Sequence, residues 1–190
     1  MSKANTRKLW TSVASEDTKT KVMNLATGDF QERTPVKCLI LYQSRKETQN
    51  TKKIAEHMAL AIKADLMPID RVEEININDY DIVGFGSGVY MRHLGKQLIK
   101  YVQNLPPKKQ EAFIFYTSGA QVVDRARDKF SRLLQSKGRT VIGSWHCMGW
   151  DVFFTLFKKT GGFNKGKPDE TDCKSASDWI IKLLGRRHEE

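Results

Sequence analysis

From Lys37 onward the sequence alternates short, continuous apolar runs with longer amphipathic stretches, and that alternation most limits the folds open to it. The run Cys38-Leu39-Ile40-Leu41-Tyr42 is unbroken by charge, as a strand buried on both faces requires. Behind it Ile54, Ala55, Met58, Ala59 and Ile62 recur at helical spacing, with Asn50 or Thr51 available as the cap. The unit then repeats. Residues 66–69, 81–85, 112–116 and 140–145 read as further strands, and 72–79 as a brief helix or turn. Leu94, Leu98, Val102 and Leu105 mark a helix that Pro106-Pro107 stops. Val123, Ala126, Phe130, Leu133 and Leu134 share a face before Lys137-Gly138 ends the next one, and Ala176, Trp179, Ile180, Leu183 and Leu184 mark the last.

Five strands interleaved with helices predict an α/β protein: a doubly wound parallel sheet with helices on both faces. Right-handed crossovers leave only a few strand orders, and in either common one ligands bind at the carboxyl ends of the strands. Residues 1–35 lack this pattern. Their apolar residues are scattered among Ser, Thr, Asn, Lys and Asp, so they read as a basic, flexible arm preceding a domain over 36–186 and a short tail over 187–190. The arm holds no continuous apolar stretch of the kind a secretory signal needs, and no run in the chain approaches the roughly 20 apolar residues of a spanning helix. The three cysteines, Cys38, Cys147 and Cys173, are odd in number and widely spaced, which fits neither a disulfide framework nor a metal-ligand pair and favours a reducing, cytoplasmic setting.

The rule for strand ends selects four loops to inspect. The first, from Ser44 to Thr51, offers hydroxyls at Ser44, Thr48 and Thr51 and the Asn50 amide at the start of a helix, which together suit a phosphate. It is neither G-x-x-x-x-G-K-[ST] nor G-x-G-x-x-G, so a mononucleotide phosphate held by hydroxyls is its natural guest. The others are Gly86-Ser87-Gly88-Val89-Tyr90-Met91-Arg92-His93, Thr117-Ser118-Gly119-Ala120-Gln121 and Cys147-Met148-Gly149-Trp150. Strand-to-helix turns need such residues for caps and tight turns anyway. Four of them at one sheet edge favour a site.

Several of these segments carry a family resemblance. Asn50-Thr51-Lys52-Lys53-Ile54-Ala55-Glu56 resembles the phosphate loop and first helix of flavodoxins. The stretch from Tyr80 to Tyr90 is similar to the one leading into their isoalloxazine-binding loop, and Phe113-Ile114-Phe115-Tyr116-Thr117-Ser118-Gly119 to their fourth strand and its turn. The segment 161–172 resembles the closing segment of a single-domain subgroup. The resemblance implies the strand order 2-1-3-4-5 and bound FMN. It also implies the cofactor contacts: Ser44, Thr48, Gln49, Asn50 and Thr51 at the phosphate, and Ser87, Gly88, Val89, Tyr90, Met91, Thr117, Ser118, Gly119, Ala120 and Gln121 at the ring. One departure stands out. The family loop reads [ST]-x-T-G-N-T, whereas Gln49 here replaces the glycine, so glutamine must either take up a permitted backbone geometry or hold the loop further from the phosphate.

Tyr90 is the candidate to stack on the flavin, unless it packs beneath the loop. Arg45 and Lys46 would neutralise a phosphate or remain solvated surface. The long connection 147–168 mixes Trp150, Phe153, Phe154 and Phe157 with Lys158, Lys159, Lys165 and Lys167, and reads either as a short helix over the sheet edge or as a docking surface beside the flavin. With 32 Lys and Arg against 22 Asp and Glu, a net +10, the expected partner is an acidic redox protein. The basic balance alone would also suit nucleic acid, but no aromatic-basic stacking motif of an RNA module is present. The expectation is therefore an FMN protein that transfers electrons between partners. Its alternatives are an FMN oxidoreductase acting on a porphyrinogen or quinone, and a flavin-free binding module; no Ser-His-Asp, H-E-x-x-H or paired-carboxylate arrangement indicates other catalysis.

Overall fold

A computed structural model describes residues 36–119, 124–152 and 162–185. The expected arm (1–35) and tail (187–190), Ala120, Gln121, Val123 and the aromatic-basic stretch 153–161 lie outside the described residues. The elements are β1 (Cys38–Gln43), α1 (Asn50–Ile62), β2 (Asp65–Pro68), two 3-10 turns (Ile69–Glu74 and Ile77–Asp79), β3 (Ile82–Tyr90), β4 (His93–Leu94), α2 (Lys96–Asn104), β5 (Gln110–Ser118), α3 (Asp124–Ser136), β6 (Arg139–Met148) and α4 (Glu170–Gly185). The parallel sheet runs β2-β1-β3-β5-β6, with the two-residue β4 folded back antiparallel on the end of β3. This is the expected order 2-1-3-4-5, the hairpin strand aside.

The alternation of side chains along each strand divides the core into two layers. Ile40, Ile82, Phe113 and Phe115 face α1 and α4, meeting Ile54, Met58, Cys173, Ala176 and Ile180. Leu39, Leu41, Val83, Phe85, Ile114 and Tyr116 face α2 and α3, meeting Leu98, Val102, Phe130 and Leu134. Cys38, Cys147 and Cys173 are all buried and form no disulfide with one another.

Several expected boundaries move: Leu94, expected on a helix, lies in β4, and β6 runs on to Met148; two further cases bear on the site. Residues 86–90 read as a loop by composition, yet β3 runs through them, paired with β1 to Ser87, with β5 to Gly88 and with β4 at Val89 and Tyr90. Hydrogen bonding on both sides overrides the weak strand preference of glycine. Second, neither Asn50 nor Thr51 caps α1: the N-cap is Gln49, without a side-chain cap bond.

Glycine in β3 has a packing reason. Gly84 pairs with Phe113 and Gly86 with Phe115, and a Cβ at either position would overlap the facing phenyl ring. The missing side chains on β3 are the space into which the β5 rings fold. Gly86→Ala is expected to lower stability by about 1–3 kcal/mol through overpacking. Gly185→Ala, where nothing lies within 4 Å of an added Cβ, is expected to leave it unchanged or raise it by up to about 1 kcal/mol. Urea unfolding midpoints of the two variants check the contrast.

Candidate functional site

At the carboxyl ends of β1, β3, β5 and β6 lies a cavity of about 340 Å³, within the range of small-molecule sites. Its floor is the loop from β1 to α1. Gln49 there has φ 50° and ψ 21°, the left-handed region, which costs a non-glycine residue about 1–2 kcal/mol. Its amide donates to the Arg45 carbonyl at 2.9 Å, and its own carbonyl accepts from the Lys53 amide at 3.0 Å. Glutamine thus takes the backbone geometry open to glycine and leads directly into the helix. The first-turn amides of α1 begin at this loop, and a helix terminus favours an anion.

The hydroxyls and amide of the loop have long-range duties instead of capping. Thr51 Oγ1 and Thr117 Oγ1 share a buried hydrogen bond of 2.9 Å that ties α1 to β5. Asn50 Nδ2 donates to the Trp150 carbonyl at 2.8 Å. Both residues also line the cavity, as do Ser44 and Thr48. Ser44 Oγ is buried and has no hydrogen-bond partner among the described residues.

The second wall is the end of β3. A Cβ on Gly88 would strike the Tyr90 hydroxyl, so glycine lets the half-buried Tyr90 ring fold back over the strand. The guanidinium of Arg45 lies over that ring, its Cζ 4.7 Å from the centroid. Burial pushes the Tyr90 phenol above its ordinary pKa, and Arg45 opposes the rise. Met91, 83% exposed, and Arg92 turn the chain into β4, with φ of 48° and 65°. Consecutive positive φ values are those of a type I′ hairpin, which usually contains Asn-Gly.

Thr117, Ser118 and Gly119 complete the cavity with Trp150 and Asp151. The Gly149 amide donates to the Ser118 carbonyl at 2.8 Å, the Trp150 amide to the Lys167 carbonyl at 2.9 Å, and Asp151 and Phe163 exchange backbone bonds of 2.9 Å. Asn164 Nδ2 bonds the Gly119 carbonyl at 3.1 Å. The segment after β6 is therefore stitched to the β5 turn.

Most of the expected site residues meet at this cavity, but two do not line it. Ser87 is fully buried, accepting from the Gly95 amide and donating to the Gly88 carbonyl, both at 2.7 Å. Its hydroxyl thereby ties the β3 end to Gly95. Gln49 borders an adjacent groove with Lys46, Lys52 and Asp70. Ala120 and Gln121 lie outside the described residues. Trp150, which the sequence places in the turn after the fifth strand and in the long connection 147–168, and Asp151, which no sequence signal singles out, also line the cavity. Cys147 is drawn into the core by the extension of β6, where burial pushes its thiol up to about 12. Lys167, expected to contribute to a basic rim, is held between Asp169 and Asp172 at 2.9 Å each.

A sequence model of the flavodoxin domain matches residues 39–148. The chain belongs to the flavodoxin domain family. This flavodoxin-domain protein is 37% identical over 150 residues to an uncharacterized protein of Methanocaldococcus jannaschii, covering 78% of this chain and 99% of the relative. Its fold is shared by oxidised flavodoxin 2 of Bacillus cereus, with a TM-score of 0.60 and 17% identity over 80% of this chain and 99% of that one. A flavodoxin from the domain Archaea superposes with a TM-score of 0.53 and 14% identity, covering 80% and 98%.

The geometry at Gln49 sets an expectation for substitutions there. Gln49→Gly relieves the left-handed strain and adds unfolded-state entropy, leaving stability within about 1 kcal/mol of wild type. Gln49→Val, β-branched at positive φ, lowers it by about 1–2 kcal/mol or more. Thermal unfolding of both variants is the measurement.

Proposed function

We propose that this flavodoxin-domain protein holds FMN in the cavity and passes electrons between protein partners. The observation that carries the reading is Ser44 Oγ, a buried hydroxyl without a partner among the described residues, lining the cavity at the start of the loop that enters α1. An unsatisfied buried polar atom calls for an explanation, and a bound phosphate oxygen supplies one. The donor set agrees. Thr51 and Thr117 have two hydroxyl protons and spend one on each other, which leaves one for an acceptor in the cavity. Thr48 and the second amide proton of Asn50 add to it. These residues would hold the phosphate, while Tyr90 and Trp150 would bound the ring and the backbone of 88–91 and 117–119 would meet its edge; Ala120 and Gln121 are assigned to the same edge. The flavin, when bound, supplies the one- and two-electron chemistry.

The solved flavodoxins that share the fold support the reading. No helix among the described residues is long and apolar enough to cross a membrane. For the partner, Lys46, Arg92 and Lys165 are exposed in segments that border the cavity or follow its loops. They suit an acidic electron donor or acceptor.

Ser44→Ala removes an unpaired hydroxyl, so folding stability is expected to hold or rise. FMN binding should weaken by about 1–3 kcal/mol, as for loss of a hydrogen bond to a charged group, and riboflavin binding should barely change. Flavin-fluorescence titrations with FMN, riboflavin and FAD, with FMN tightest, test this; equal losses for FMN and riboflavin would place the phosphate elsewhere. Electron transfer from an acidic donor should slow steeply as salt rises, because exposed charges are screened beyond about 8 Å at physiological ionic strength. Stopped-flow rates over a salt series check it, and a flat series rejects the basic docking surface.

A further inference from the structure

Asp151 brings a carboxylate to a cavity whose other described lining residues, Arg45 apart, carry no charge. We infer that Asp151 selects against negative charge on a planar ligand held beside it, and so lowers the potential at which bound FMN accepts electrons. The inference rests on the FMN reading above and adds to it the residue that makes the loaded protein a stronger reductant.

The placement of Asp151 is built by its neighbours. It exchanges two backbone hydrogen bonds of 2.9 Å with Phe163. A Cβ on Gly119 would strike its side chain, and a Cβ on Gly162, where φ is 79°, would strike its backbone carbonyl. Two glycines thus leave room for this residue. Asn164 Nδ2, bonded to the Gly119 carbonyl at 3.1 Å, ties the same segment to the β5 turn. The carboxylate therefore stands against Gly119, part of the backbone assigned above to the ring edge.

Its charge also reaches across the cavity. Burial pushes the Tyr90 phenol above its ordinary pKa, Arg45 opposes the rise through its charge and a hydrogen bond, and Asp151 and Glu47 add to it. What resists a phenolate at Tyr90 resists negative charge on a ring lying beside Tyr90. Taking up two electrons from a donor protein and one proton leaves the flavin ring one unit more negative. Asp151 opposes that change and not the neutral, oxidised ring. Whatever the carboxylate pairs with, replacing it by an amide makes the cavity lining one unit more positive. Unit charges about 8 Å apart, at an effective dielectric constant of about 20, shift an equilibrium roughly tenfold or more.

The test is the midpoint potential of the full chain loaded with FMN, measured by equilibration with a redox dye. Asp151→Asn should favour the reduced form roughly tenfold or more at a given potential, a rise of about 30 mV or more for a two-electron couple. Asp151→Ser, smaller and also uncharged, should shift the same way, and Asp151→Glu should restore most of the wild-type value. Glu73→Gln, an equal change of net charge at an exposed residue outside the cavity lining, should leave the potential where it was. In the ligand-free chain, Asp151→Asn should lower the Tyr90 pKa, read from phenolate absorbance against Tyr90→Phe. Melting temperatures establish that each variant is folded. A potential unmoved or lowered in Asp151→Asn and Asp151→Ser, an equal rise in Glu73→Gln, or a Tyr90 titration that does not move would overturn the inference while leaving FMN binding intact. Wild type that binds no FMN overturns the FMN reading and the inference together.

Discussion

The site depends on the pairing of β3. Hydrogen-bonded to β1 on one side and β5 on the other, this strand stays extended through Gly88, and β4 supports its last two residues. A strand so held brings Gly88 level with Thr117 of β5, and Tyr90 two residues further on, at the same sheet edge where Ser44 follows β1. Without that pairing a segment with three glycines in five positions has no reason to be straight. The pairing is close enough to work because Gly84 and Gly86 leave room for Phe113 and Phe115. The same absence of side chains that weakens the strand locally makes its packing against β5 possible.

That conflict between local preference and long-range pairing separates what could be read from the sequence from what could not. The strand cores and the faces of α2, α3 and α4 were legible because burial on two faces leaves continuous apolar runs, and burial on one leaves a helical period. The ends of β3 and β6 were not, since composition near a strand end resembles that of a turn. The role of Asn50 was misread for a related reason. An amide at a helix start suggests a cap, but this one bonds a carbonyl 100 positions along the chain. Thr51 likewise meets Thr117 across the sheet. The family resemblance brought most of the cavity residues together by number. It had no means of finding Asp151, which reaches the cavity through backbone bonds to Phe163.

Net charge was an incomplete guide for the same reason. A formal +10 describes the whole chain, but charges act where the fold leaves them. Lys167 is bound by two aspartates, Lys53 bonds Glu170 at 2.9 Å, and Arg127 meets Asp124 and Asp128. A count of lysines in the loops near the cavity therefore overstates the charge they can present there. Arg45, which borders the cavity, is itself engaged with the Tyr90 ring.

Strain is distributed to match. Gln49, Met91 and Arg92, three of the non-glycine residues with left-handed backbones, lie in the two turns whose neighbouring residues line the cavity. Each costs about 1–2 kcal/mol that a glycine would largely spare, and such conformations persist only where the surroundings over-determine them. At Gln49 the determinants are the bond to the Arg45 carbonyl and the start of α1; at Met91 and Arg92 they are the β3–β4 pairs on either side. Both turns are thus fixed by the regular structure flanking them rather than by their own sequence. Side chains can then occupy positions where a flexible glycine would leave the rim less ordered. A loop held in this way keeps Ser44 and Thr48 at set positions beside the cavity, so that their hydroxyls are ordered before any ligand arrives.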